Sequence, residues 1–183
     1  MPSIVVLAGS PSATSRTAVV LDLLALRLTT HGHDVRIVPI RELPPGPLLA
    51  ADARHPAISD AVEAVATAHG LIVASPVYKA AYTGLLKAFL DLLPQYALAG
   101  KTVLPLVTGG TPAHVLAVDY ALRPVLASMG AHVGQGFFVL DQLITRDSST
   151  GPTLAPAAER PLLGIVDAFS ESVASFRPVT VTV

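Results

Sequence analysis

The sequence contains no cysteine. It can therefore form no disulfide bond, and it offers no thiolate for catalysis or for ligation of zinc or an iron–sulfur cluster. Charged residues are also scarce: they make up 14% of the chain, and the 12 basic side chains are scattered through a sequence of formal net charge −1. A nucleic-acid-binding face needs clustered basic residues, so we exclude nucleic acid as a partner.

No apolar run in the chain approaches the roughly 18 residues that cross a membrane, and no basic segment precedes the first apolar run. We therefore expect a cytoplasmic protein with no membrane partner. The six histidines do not have the spacing of metal ligands, so we predict no metal site. The G-x-S-x-G pattern of serine hydrolases is also missing, which leaves little support for that class of enzyme.

What the sequence does contain is a regular alternation of apolar strands and helices. The predicted strands are Ser3–Leu7, Val35–Ile40, Leu71–Ala74, Thr102–Val107 and Val133–Val139. The predicted helices are Ser15–Thr30, Ile58–Ala68, Gly84–Leu93, Val115–Met129 and Ala157–Phe176. Strands that are nearly all apolar and are separated by helices predict a single α/β domain over residues 1–183, with a parallel sheet covered on both faces. The proline-rich segment Leu43–His55 predicts a surface loop, and Val179–Val183 predicts a frayed end or an edge contact.

The loop after the first strand predicts a phosphate site. Ser15 or Thr14 stands at the N-cap of the first helix, whose first backbone N–H groups have no partners within the helix. These N–H groups and the helix dipole attract an anion, and Arg16 adds a positive charge. The hydroxyls that could donate to a phosphate belong to Ser10, Ser12, Ser15 and Thr17. An ordinary capped turn explains the same residues, so both interpretations stay open from this loop alone.

The loop after the third strand has features that suit a flat ring. Pro76 stiffens the turn, the backbone N–H groups from Val77 to Lys79 can face the polar edge of a ring, and Tyr78 and Tyr82 offer aromatic faces. The alternative is that both tyrosines only pack the loop. In an open parallel sheet, ligands bind beyond the carboxyl ends of the strands, and this loop lies at that edge.

The loop after the fourth strand contains paired glycines, Gly109 and Gly110, which allow a ligand to approach the main chain closely. Thr108 and Thr111 flank them and add hydroxyls, and His114 closes the loop. A flexible turn explains two glycines equally well. The position of the loop favours a binding site, because it meets the other two small-residue loops at one edge of the sheet.

Three stretches of the chain together resemble the NADPH-dependent FMN reductases, and in particular the reductase component of the two-component alkanesulfonate monooxygenase system. They are LAGSPSATSR, GLIVASPVYKAAYTGLLKAFLDLLP and VLPLVTGGTPAHVLAVDYALRPVL, and the similarity spans about Ser3 to Met129. The resemblance implies a flavodoxin-like, three-layer, doubly wound fold. Its five-stranded parallel sheet has the order 2-1-3-4-5, with FMN at the carboxyl edge.

The resemblance also implies which residues bind FMN. Those expected at the phosphate are Ser10, Ser15, Arg16 and Thr17. Those expected along the isoalloxazine ring and the ribityl chain are Pro76, Val77, Tyr78 and Lys79. Those expected on the far side of the ring are Thr108, Gly109, Gly110 and Thr111. The family often has arginine at the position of Ser12 and asparagine at that of Thr17, and these departures favour weak, exchangeable flavin binding.

Pro124 lies inside the predicted helix Val115–Met129, where it removes one N–H and crowds the carbonyl of Tyr120. A π-bulge would absorb this conflict, and a plain proline kink is the alternative. The reductases that the chain resembles have a π-helix at the matching tyrosine, at a subunit interface near the flavin. That helix and helix Gly84–Leu93 carry apolar residues on more than one face, which predicts a homodimer or a homotetramer.

We therefore expect an oxidoreductase that moves a hydride from NADPH, or NADH, to FMN without a catalytic protein side chain. The reduced FMN would then pass to a flavin-dependent monooxygenase, with the alkanesulfonate type favoured. Two alternatives stay open at this point: a quinone or azo reductase that retains its FMN, and a non-catalytic, flavodoxin-like electron carrier. Oxidation of NAD(P)H with and without added FMN separates the three.

Overall fold

A computed structural model describes residues 1–147 and 151–175. Its strands are β1 (Ser3–Ala8), β2 (Asp34–Pro39), β3 (Gly70–Pro76), β4 (Thr102–Gly109), β5 (His132–Val133), β6 (Phe137–Leu140), β7 (Ile144–Asp147) and β8 (Gly151–Leu154). Its α-helices are α1 (Arg16–Thr30), α2 (Pro45–Leu49), α3 (Pro56–Thr67), α4 (Gly84–Leu90), α5 (Arg123–Ser128) and α6 (Pro156–Ser175). Three one-turn 3₁₀ segments and a π-helix complete it: Ile40–Glu42, Pro112–His114, Asp141–Leu143 and Val118–Leu122.

The main sheet is parallel and has the order β2-β1-β3-β4-β5, with β6 continuing alongside β4. This confirms the predicted α/β fold and strand order. Alternate residues of each strand enter different cores, because successive side chains point to opposite faces. Val5 and Leu7 pack with α3, α4 and α5, whereas Ile4 and Val6 pack with α1 and α6. The sheet is therefore the middle of three layers.

The ends of α1 follow the local signals in the sequence. The Ser15 hydroxyl accepts a hydrogen bond from the N–H of Ala18 and caps the N-terminus, as one of the two predicted caps. At the other end Gly32 has φ +84°, a left-handed conformation that glycine adopts without a Cβ clash. The helix therefore begins within one residue of the predicted Ser15–Thr30.

The prediction of a loop over Leu43–His55 is wrong in part, because the segment contains the short helix α2. Pro45 stands in the first turn of α2, where a missing N–H costs nothing. Leu48 is buried, and this tertiary contact stabilises a helix that is too short to be stable alone. The predicted helix Gly84–Leu93 is also too long, because α4 ends at Leu90.

The predicted fifth strand, Val133–Val139, is interrupted in the structure. Val133 pairs with Val103 and Phe137 pairs with Leu106, so three residues of one chain segment oppose two of β4. One of the two is Pro105, which has no N–H to donate to the ladder. The extra residue makes a bulge between β5 and β6.

The predicted single helix Val115–Met129 is replaced by a π-helix that leads into α5. The prediction of a π-bulge at Tyr120 is confirmed, because this residue lies inside the π-helix. Pro124 follows in the first turn of α5, which explains where the wider turn returns to α-helical geometry.

The antiparallel hairpin of β7 and β8 was not predicted. Ile144 pairs with Leu154, and both are buried in the core under α1 and α6. The predicted tail segment Val179–Val183 lies outside the described residues. Among the described helices, none combines the length and apolar character needed to cross a membrane.

Candidate functional site

Three loops meet at the carboxyl ends of β1, β3 and β4, and hydrogen bonds join them. We call residues 9–17 the first loop, residues 75–84 the second loop and residues 108–114 the third loop. The N–H of Gly9 donates to the carbonyl of Ala74 over 2.8 Å, and the Thr83 hydroxyl donates to the carbonyl of Gly9 over 2.6 Å. The N–H of Val77 donates to the carbonyl of Thr108 over 2.8 Å. The loops are therefore parts of one surface, as their place in the sheet predicts.

Gly9 allows the first loop to come this close. A Cβ at this position would lie 2.8 Å from Cβ of Leu86 and 3.0 Å from the carbonyl oxygen of Ala74. The first distance is shorter than real side chains tolerate, so any larger residue would push the first loop away from α4 and β3.

The N-terminus of α1 presents open hydrogen-bond donors. Ser15 satisfies the N–H of Ala18, but within the described part of the chain no acceptor pairs with the N–H groups of Arg16 or Thr17. The Ser15 hydroxyl still has its own proton to donate. With the helix dipole and the half-exposed Arg16 guanidinium, these groups form a set of donors that suits a phosphate.

Ser10 is buried and bonds within its own loop. Its hydroxyl donates to the carbonyl of Ser12 over 3.4 Å and accepts from the N–H of Ser12 over 3.3 Å. The Ser12 hydroxyl contacts that of Thr14 at 3.3 Å. Ser10 therefore holds the shape of the first loop, which lies next to the open donors of α1.

Thr17 and Thr108 connect the first and third loops. Their hydroxyl oxygens are 2.7 Å apart, and both residues are only 1% exposed. Two hydroxyls can share one hydrogen bond and leave a second proton for another acceptor. The pair had no signal in the sequence, because 91 positions separate the two residues.

The second loop contains a tight turn from Tyr78 to Ala81. The N–H of Tyr78 donates to the carbonyl of Ala81 over 2.9 Å, and the N–H of Ala81 donates back over 3.1 Å. Lys79 and Ala80 at its centre have φ of +51° and +62°. Two residues with side chains in the left-handed region cost free energy, so the surrounding contacts must hold this turn in place.

The two tyrosines of this loop differ in exposure. Tyr78 is 53% exposed and can offer a ring face to a ligand. Tyr82 is half-buried, and burial raises the pKa of its phenol, so the hydroxyl stays protonated at neutral pH. Tyr78 is therefore the stronger candidate for the predicted aromatic contact with a ligand, whereas Tyr82 packs against the core.

The third loop is shaped around Gly109. A Cβ at Gly109 would lie 3.0 Å from the Phe138 ring and 3.2 Å from Nδ1 of His114. The Thr111 hydroxyl accepts from the N–H of Ala113 over 3.3 Å and caps the short 3₁₀ turn that follows. Nδ1 of His114 is buried and has no hydrogen-bond partner among the described residues.

Asp141 reaches this edge of the sheet from a distant part of the chain. Its Oδ2 lies 3.9 Å from Nη1 of Arg16, and 3.7 Å from the position that a Cβ of Gly110 would take. Sequence reasoning missed this residue. The signal that could have found it is its position directly after the strand that pairs with Gly109.

The π-helix projects beside the third loop. Tyr120 inside the π-helix is 79% exposed, and Leu116, two residues before the π-helix begins, is 58% exposed. Arg123 holds the segment to the sheet, because it donates to Asp119 over 2.8 Å and to the carbonyls of Val133 and Gly134. Large apolar side chains that stay exposed on an anchored segment are typical of an interaction surface.

The sequence model of a family described as NADPH-dependent FMN reductase matches residues 2–144. The chain belongs to this family. An FMN reductase (NADPH) of Pseudomonas putida strain KT2440 is 42% identical over 173 residues, which cover 93% of the chain and 88% of the relative. One from Escherichia coli K12 is 47% identical over 144 residues, with 77% and 74% covered. The apo crystal structure of an NADH:FMN oxidoreductase superimposes with a TM-score of 0.88 at 45% identity, over 98% of the chain and 94% of that structure.

Membership in the FMN reductase family makes the chain an oxidoreductase whose flavin is FMN and whose reductant is a reduced nicotinamide. The residues present suit this flavin. The donor set at α1 matches a phosphate, and the exposed Tyr78 of the second loop can offer an aromatic face to the flavin ring. Relatives with either nicotinamide in their names occur, so the family alone does not select NADPH over NADH.

Proposed function

We propose that FMN binds across the three loops, with its phosphate at the N-terminus of α1 and its ring between the second and third loops. The open N–H groups of Arg16 and Thr17, beside the Ser15 hydroxyl, carry this proposal. Around them we place the remaining predicted ligands: Ser10, Pro76, Val77, Tyr78, Lys79, Thr108, Gly109, Gly110 and Thr111.

When bound, FMN supplies the chemistry by accepting a hydride from the nicotinamide at its N5. The chain supplies alignment. The hydrogen bonds between the loops hold the strained turn at Lys79 and Ala80 in place, and a rigid site lowers the entropic cost of stacking two rings. We assign no proton transfer to a protein side chain.

We further propose that reduced FMN leaves the site and serves a flavin-dependent monooxygenase, with the alkanesulfonate type favoured by the resemblance of the three motifs. Serine at position 12 in place of a common arginine supports weak retention of the phosphate.

NADPH and NADH oxidation, followed with and without added FMN, tests this function. We expect a protein that is colourless after dialysis, is inactive alone and turns over when FMN is added. A preparation that stays yellow and reduces quinones without added flavin would indicate a flavin-retaining reductase. FMN binding without turnover would indicate an electron carrier.

We also propose that an exposed surface, formed by Tyr120 of the π-helix and by Val115 and Leu116 before it, joins copies of the chain into a dimer or a tetramer. Val115, Leu116 and Tyr120 are all at least 48% exposed, which is unusual for neighbouring apolar side chains of a monomer. Light scattering should show the oligomer, and Tyr120→Ala should reduce both assembly and FMN affinity. Tyr96→Ala is the matched control, since Tyr96 is 65% exposed on a different segment. A wild-type monomer at micromolar concentration would contradict the proposal.

A further inference from the structure

The three loops around the proposed phosphate site carry positive charges and no negative ones. Residues 9–17, 75–84 and 108–114 contain Arg16 and Lys79 but no aspartate or glutamate. These loops therefore attract anions as a set. The carboxylate of Asp141 comes into this region from outside the three loops, so it lowers the net positive charge there.

The fold positions Asp141 between the first and third loops. Strand β6 ends at Leu140, which pairs with Gly109, so Asp141 stands directly beyond the end of the sheet. Its Oδ2 lies 3.7 Å from the position that a Cβ of Gly110 would take and 3.9 Å from the guanidinium of Arg16. Asp141 is 30% exposed and caps no helix, so its contact with Arg16 is its main described polar interaction.

The contact is an ion pair without a hydrogen bond. At 3.9 Å the two charges attract each other, but the distance is too long for a donor and acceptor, and Arg16 is 53% exposed. Asp141 therefore neutralises part of the charge of Arg16 without orienting its guanidinium. A phosphate at the N-terminus of α1 would need the same guanidinium, and it would carry the same sign of charge as Asp141.

We propose that Asp141 competes with the phosphate of FMN for Arg16 and thereby keeps FMN affinity low enough for exchange. This inference rests on the proposed function of the same site. The competition acts on the phosphate alone, so it should weaken FMN and leave riboflavin untouched. A carboxylate that instead held Arg16 in place for the phosphate would strengthen FMN binding, so the sign of the effect separates the two roles.

Flavin fluorescence titration of Asp141→Asn, with FMN and with riboflavin, tests the inference. We expect the Kd for FMN to fall about two- to fivefold and the Kd for riboflavin to stay unchanged. In an Arg16→Ala background the gain from Asp141→Asn should shrink, because the group under competition is gone. Asp60→Asn is the matched control, since Asp60 pairs with Arg36 outside the three loops.

An FMN Kd that is unchanged or raised in Asp141→Asn would overturn the role of Asp141, and so would a parallel change for riboflavin. These results leave the reductase function standing if wild-type protein still turns over FMN. Wild-type protein that binds neither flavin would overturn the proposed function, and the role of Asp141 with it.

Discussion

The two ends of α1 have opposite chemistry. At the N-terminus, the N–H groups of Arg16 and Thr17 have no acceptor among the described residues, and the guanidinium of Arg16 is half-exposed. At the C-terminus, Arg27 donates to both carboxylate oxygens of Asp167 on α6, over 3.0 Å and 2.8 Å. One end offers unsatisfied donors to a ligand, and the other end uses its polar groups to hold two helices together.

Polar contacts with α6 continue beyond the C-terminus of α1, which we call its closed end; the N-terminus is its open end. Nε2 of His33 lies 2.6 Å from the hydroxyl of Ser170, and Nδ1 of His31 lies 3.3 Å from the same hydroxyl. The hydrogen bond from Arg27 lowers the pKa of Asp167, so this carboxylate is charged at neutral pH. The comparison shows that, among the described residues, the unpaired donors and the paired side chains of this helix lie at different ends, so the helix can brace α6 without using the donors at its N-terminus.

The largest expected effect is at the open end. The double variant Ser15→Ala and Arg16→Ala should raise the Kd for FMN about tenfold to a hundredfold, because it removes a hydroxyl donor and a charged donor from the phosphate. Riboflavin has no phosphate, so its binding should stay near that of the wild type. Fluorescence titration measures both. Equal losses for the two flavins would place the phosphate elsewhere.

The corresponding experiment at the closed end of α1 tests for a loss of stability without a loss of FMN binding. Ser170→Ala removes the partner of His33, which is buried, and should lower the free energy of unfolding by about 1–3 kcal/mol. FMN affinity should not change. Urea denaturation and flavin titration measure the two properties. Ser175→Ala on the same helix is the control, since Ser175 is exposed and should stay within about 0.5 kcal/mol of the wild type.

Thr17→Val tests whether the Thr17 hydroxyl stabilises the fold or binds the phosphate. The variant keeps the side-chain shape but leaves the buried Thr108 hydroxyl without its partner, so we expect about 1–2 kcal/mol less stability. Adding Thr108→Val should recover part of the loss. The ratio of FMN affinity to riboflavin affinity should stay constant. A selective loss of FMN would instead mean that the Thr17 hydroxyl bonds the phosphate.

The smallest effect is a pH dependence at the closed end. Burial lowers the pKa of His33 below its usual 6.5, so below that pH the unfolded chain binds more protons than the folded one. The stability contributed by neutral His33 is complete above about pH 6.5 and is lost as the pH falls towards the folded value. Urea midpoints across this range should show the slope, and His33→Gln should flatten it. An equal slope in the variant would assign the effect to another group.

The local parts of the fold and the site could be predicted from the sequence. Apolar runs predicted the strands, Ser15 was one of two predicted caps at the start of α1, and Pro124 predicted the irregular turn at Tyr120. Each signal acts through neighbouring residues, so it does not depend on the rest of the molecule.

The strained turn could not be predicted, because Lys79 and Ala80 are poor residues for positive φ. Tertiary contacts hold it in place: the N–H of Val77 bonds to Thr108, and the N–H of Thr83 bonds to the Ser75 hydroxyl over 2.9 Å. The hydrogen bonds to the surrounding loops therefore offset the free-energy cost of a conformation that the local sequence disfavours.

The sequence by itself determined the alternation of strands and helices and the small-residue loops at the carboxyl ends of the strands, because periodicity, caps and glycines act over a few residues. Only the tertiary structure decided which charges and hydroxyls meet there. The pairing of Thr17 with Thr108 and the approach of Asp141 to Arg16 depend on the order and register of the parallel strands. Parallel strands are joined by long crossovers, so residues that share one edge of the sheet lie far apart in the chain.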